Sequence, residues 1–155
     1  MCLLDLAEGS VSILSWESRK TRRVTYSTVH AEITALLAAV TCALWIKEFF
    51  IEQFGVSLPI GVSTDAKSVV FNLETTNEPN EKYLRHPLNC LRAHLATDEL
   101  RQVKWCRGQW NMADALTKRG ALESSRLLRT ALVSEKFCDQ LSQIGECNLR
   151  SISDL

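Results

Sequence analysis

The chain has 155 residues, with 18 basic and 18 acidic side chains and a formal net charge of +0. Hydrophobic residues make up 46% and charged residues 23%, the balance of a globular protein, which excludes disorder as the default state. Without a basic excess, any nucleic-acid binding has to come from local patches rather than from the field of the whole molecule.

In chain order, residues 1–6 and 11–16 are short apolar runs separated by Glu8-Gly9-Ser10, the pattern of a hairpin. A basic loop follows, Arg19-Lys20-Thr21-Arg22-Arg23, and leads into a strand-like stretch at 24–26. The strongest helix is expected over 27–54. Ser27 or Thr28 can cap its start, Gly55 supplies the stop, and Ala31, Ala35, Ala38, Ala39 and Ala43 offer a small-residue face for close approach to a sheet. A strand is expected from Leu58 to Ser63, ending at Asp65, then a short helix over 66–73 and a polar loop over 75–81.

Pro87 suits a first helical turn, with Leu88, Leu91 and Leu95 recurring after it at helical spacing. Val103 and Trp105 alternate with Lys104 and Cys106, predicting a half-exposed strand with Trp105 facing the core. A loop at 108–111, a helix from about Ala113 and one or two amphipathic helices over 122–144, carrying Leu128, Leu132, Phe137, Leu141 and Ile144, complete the order. Strands alternating with helices predict an α/β sheet flanked by helices.

The six cysteines, Cys2, Cys42, Cys90, Cys106, Cys138 and Cys147, form no CxxC pair and read as reduced, mostly buried thiols in a cytosolic or nuclear setting. No signal-peptide pattern opens the chain. No uninterrupted apolar run has membrane-spanning length, since Ile33 to Ala39 is soon diluted by Thr41, Lys47 and Glu48.

Three acidic residues stand at element boundaries: Glu32 in the first turns of the long helix, Asp65 after a strand, and Asp114 at the start of a late helix. Converging carboxylates are what magnesium needs, with waters and substrate phosphate completing its shell. Each also has a plainer role, Asp65 and Asp114 as helix caps and Glu32 as a partner of the helix dipole.

Five segments resemble the ribonuclease H domain of copia-type retrotransposon Pol polyproteins. They are Ser15-Trp16-Glu17-Ser18-Arg19-Lys20, Ser27-Thr28-Val29-His30-Ala31-Glu32, Ala43-Leu44-Trp45-Ile46-Lys47, Ser63-Thr64-Asp65-Ala66-Lys67-Ser68 and Met112-Ala113-Asp114-Ala115-Leu116-Thr117-Lys118. The resemblance implies a ribonuclease H-like mixed sheet flanked by helices over 1–120, with a helical C-terminal tail over 121–155. It implies hydrolysis of the RNA strand of RNA–DNA hybrids within a longer reverse-transcriptase polyprotein, with Glu32, Asp65 and Asp114 as catalytic ligands of Mg2+ or Mn2+.

The family's first aspartate lies on an opening strand upstream of the hairpin. This chain begins inside the hairpin, so the resemblance implies an N-terminally truncated domain. Asp5 lies too close to Trp16 to belong to a preceding strand and reads as a hairpin carboxylate. His30 stands where the family often has Glu, Ala66 replaces the usual Asn, and His86 and His94 match the family's histidines only in part. His86 reads either as a substrate contact or as a surface histidine. Arg19, Lys20, Arg22, Arg23, Lys118 and Arg119 are candidate phosphate contacts, or else solvated charges. Trp110 is open to base stacking. A domain that has lost catalysis but still binds nucleic acid or a protein partner is the alternative reading.

Overall fold

A computed structural model describes residues 2–5, 10–17, 24–75, 78–118 and 120–133. It is mixed α/β, and its contacts divide the chain into two compact units. One unit is Lys20–Trp105; the other combines Met1–Arg19 with Cys106–Leu155.

Within Lys20–Trp105 the main element is α1 (Thr28–Phe54). The Ser27 side chain accepts the His30 N–H (3.1 Å), closing the first turn. Gly55, at φ 68°, ends the helix by donating its N–H to the Ile51 carbonyl (2.9 Å), a left-handed stop that suits glycine. Ile33, Leu36 and Val40 recur at helical spacing and are buried. The alanines divide: Ala43 packs against the buried cluster and Ala31 is half-buried, but Ala35, Ala38 and Ala39 are exposed, because the larger branched side chains bury more apolar area. Residues 24–26 are not a strand; Tyr26 is instead held at the helix start by its rings and its backbone.

Although charged residues interrupt it, α1 is also long and apolar enough by length and composition to cross a membrane, a test that core helices of soluble proteins and signal sequences also pass. Its first half is core. Ile33, Leu36 and Val40 join Ile60, Val69, Leu84, Leu88, Leu91 and Leu100 in one buried cluster.

β3 (Gly61–Thr64) begins three residues later than expected, since Pro59 has no N–H for a ladder. It is followed by α2 (Lys67–Glu74), α3 (Lys82–Ala96) and β4 (Gln102–Trp105). β3 and β4 pair in parallel, Gly61 opposite Gln102 through Thr64 opposite Trp105. Parallel neighbours need a long crossover, here supplied by α2 and α3. α3 starts five residues before Pro87, which is buried inside the helix rather than in its first turn. The extra turn buries Leu84 against the core, and that burial offsets the N–H that Pro87 cannot give to the Tyr83 carbonyl. Every residue of β4 is half-buried, so the expected alternation of exposure and the core position of Trp105 are both absent.

In the other unit, β1 (Cys2–Asp5) and β2 (Ser10–Ile13) form the antiparallel hairpin, with Asp5 opposite Ser10. A 3-10 turn at Gly108–Trp110 precedes α4 (Asp114–Thr117) and α5 (Leu122–Val133). The buried Ser124 hydroxyl donates to the carbonyls of Gly108 (3.3 Å) and Gln109 (3.2 Å), tying α5 to that turn. The part of the amphipathic tail beyond Val133, with Phe137, Leu141 and Ile144, lies outside the described residues. Of the described thiols Cys42, Cys90 and Cys106, none joined in a disulfide, only Cys106 is buried.

Candidate functional site

Asp65 follows the carboxyl end of β3, where a parallel strand hands over to a helix, and such corners are the usual place for ligand sites in α/β sheets. Several contacts hold this corner. The Thr64 hydroxyl, buried beneath it, accepts the Ala66 N–H (3.2 Å), a side-chain turn that carries the backbone past Asp65. Trp105, paired opposite Thr64, donates its indole N–H to the Asp65 carbonyl (3.1 Å). The Lys67 ammonium lies 4.3 Å from the Trp105 ring centre, a cation–π contact that covers the indole. Thr64, Lys67 and Trp105 were not legible as site residues, because only the β3–β4 register brings them together.

Asp65 is not the cap of α2. That position is Ala66, with no side-chain bond to the first turn. Glu32 is the fifth residue of α1, solvent-exposed and past the first turn, where the dipole acts most strongly. α1 packs against β3, so the elements bearing Glu32 and Asp65 are neighbours within one unit.

Asp114 belongs to the other unit. It is the first residue of α4, after an Ala113 cap that makes no side-chain bond. Its carboxylate is 13% exposed and accepts a 2.6 Å charged hydrogen bond from Lys118, one helical turn on. Lys118, expected to meet phosphate, is thus engaged with a candidate metal ligand. Arg19, Lys20, Arg22, Arg23 and Arg119 lie outside the described residues.

Magnesium asks for oxygens that converge. Among the described residues, neither unit gathers three His, Cys, Asp or Glu side chains into a metal-holding group. Glu32 and Asp65 give one unit two carboxylates, and two are too few to hold a pair of ions.

Of the candidate histidines, His86 is exposed on α3, with Nε2 3.8 Å from the Cys90 sulfur. His94 Nδ1 and Glu99 are 2.7 Å apart. That hydrogen bond, reinforced by the Thr97 hydroxyl at 3.2 Å, holds the Glu99 carboxyl below its ordinary range. Trp110 closes the 3-10 turn and is half-buried, with its N–H donating to the Arg107 carbonyl (2.8 Å) through the backbone.

No protein-family model, curated protein or solved structure matches this chain. The functional reading therefore rests on its own residues and their geometry.

Proposed function

We propose that the chain is a ribonuclease H-like domain of the copia-type retrotransposon kind. In its intact form it hydrolyses the RNA strand of RNA–DNA hybrids with magnesium or manganese bound by Glu32, Asp65 and Asp114. The supporting observation is the Asp65 corner. A carboxylate follows a parallel strand, its backbone is fixed by Thr64 and Trp105, and the helix bearing Glu32 packs on the same strand. The cap positions of α2 and α4 fall on Ala66 and Ala113, each one residue away from the carboxylate in question. Basic side chains at 19–23 would hold phosphates without reading sequence, and 2′-hydroxyls would distinguish RNA.

A second reading is favoured by a specific observation. The Lys118 ammonium occupies an oxygen of Asp114, and no three-residue metal group forms among the described residues. These features suit a domain that binds nucleic acid without cutting it. With an oxygen of Asp114 engaged in this way, cleavage is expected to be slow or absent under the second reading.

The deciding experiment incubates the protein with an end-labelled RNA–DNA hybrid and magnesium, beside Glu32→Gln and Asp65→Asn. Chelator-sensitive cleavage that is lost in both variants supports the first reading. Equal cleavage in all three proteins overturns the site. Binding without cleavage selects the second reading, and neither binding nor cleavage sinks both. If hybrid is bound, replacing Arg22 and Arg23 by Ala is expected to weaken it and to flatten the salt dependence by roughly two phosphate contacts.

A further inference from the structure

Three aromatic rings meet where α1 and α3 begin. Tyr26 stacks on Tyr83, with ring centres 5.0 Å apart and planes 30° from parallel. It also lies nearly parallel to His30, at 5.9 Å and 10°. His30 and Tyr83 are 5.0 Å apart, so the three rings form one compact group. Tyr83 is the second residue of α3 and His30 the third of α1, which brings the two helix starts together at these rings.

Core packing does not account for Tyr26. The residue is 71% exposed, so its ring is ordered while burying little apolar surface. Its position is nonetheless fixed. The Tyr26 N–H donates to His30 Nδ1 (3.4 Å), and the next residue, Ser27, is committed to capping α1. An ordered, solvent-facing aromatic ring backed by two others is a stacking surface.

The surroundings indicate what it stacks. Helix starts carry partial positive charge and outward-pointing N–H groups, and here two of them converge. The exposed Lys82, first residue of α3, precedes Tyr83 in the chain and offers a cation at this helix start, next to the exposed carboxylate of the Glu81 cap. A planar ligand with an attached anion fits this combination better than an uncharged sugar does.

We infer that Tyr26, His30 and Tyr83 form a platform for the base of an unpaired nucleotide, whose phosphate lies toward Lys82 and the helix starts. The inference rests on the nucleic-acid reading for its ligand class, but not on metal binding or cleavage. Base–aromatic stacking tolerates any sequence, since every base has a flat face.

The test measures anisotropy of a labelled single-stranded oligothymidylate, and of an abasic oligomer of equal length and charge, with chelator present. The base-bearing strand is expected to bind about tenfold more tightly. Tyr26→Ala should reduce it to the abasic level, while Tyr26→Phe should retain the preference. Tyr26 is exposed, so the alanine variant is expected to keep its far-UV spectrum. Equal affinity for the two strands, no binding of either, or an unchanged preference in Tyr26→Ala overturns the platform. Hybrid cleavage measured in parallel separates the two proposals. Lost base preference with retained cleavage removes only the platform, and retained preference without cleavage removes only the nuclease.

Discussion

Ser27 and Gly55 bound α1 by opposite chemistry, one supplying an acceptor to an orphan N–H and the other a left-handed backbone. Both were legible, because caps depend on the residue and its nearest neighbours alone. Ser27→Ala is therefore expected to lower stability by about 1 kcal/mol, read from chemical denaturation. Asp65 and Asp114 were not legible in the same way. Each has the right side chain for a cap, yet Ala66 and Ala113 take the cap positions, since the path of the chain out of β3 and out of the 3-10 turn sets where helical geometry begins. Glu99 carries a pH prediction. Its carboxyl is held below its usual value by the His94 hydrogen bond first and the Thr97 hydroxyl second. A depressed folded-state acid contributes stability above its unfolded value, and that contribution is lost as the pH falls through the folded value. The melting midpoint of Glu99→Gln should therefore fall less steeply than that of the parent below about pH 4.5. Identical acid limbs in the two proteins would remove the coupling.

At the scale of elements, each helix of the Lys20–Trp105 unit was expected from the sequence, but not the edges of all of them. Leu88, Leu91 and Leu95 marked α3, while Pro87 suggested a start that the buried Leu84 overrules from one turn earlier. Leu88 and Leu91 are fully buried, and replacing either by Ala is expected to cost about 2–5 kcal/mol in the same denaturation measurement. The join between α2 and α3 was invisible in the sequence. Arg92 on α3 donates one guanidinium nitrogen to the carbonyl of Asn72 (2.7 Å) and to that of Thr75, closing the end of α2 from 17 and 20 residues away. No local pattern encodes so distant a partner. Arg92→Ala is expected to destabilise by about 1–3 kcal/mol, with faster amide exchange concentrated in the last turn of α2. Arg92→Lys should restore only part of this, because an ammonium lacks the planar fork. Uniform exchange across both helices would argue against the capping role.

For the molecule as a whole, the alternation of strands and helices pointed to the α/β class but not to the distribution of apolar surface along α1. The first half of that helix buries Ile33, Leu36 and Val40, whereas the second half exposes Trp45 (75%), Phe49 (53%) and Phe54 (63%). Hydrophobicity by itself does not distinguish these halves; the difference comes from which neighbours the chain supplies, and β3, α2 and α3 cover only part of a 27-residue helix. Exposed aromatic clusters favour association between molecules, and a chain with formal charge +0 has little net repulsion to oppose it. Association should be strongest near the isoelectric pH of about 6.8. The double variant Trp45→Lys, Phe49→Lys is expected to raise the concentration at which light scattering begins and to reduce binding of an apolar dye. Its melting midpoint should stay close to that of the parent, because neither ring belongs to the buried cluster. A large fall in that midpoint would mean instead that these rings are packed in the folded protein, and the apolar second half of α1 would have to be counted as core.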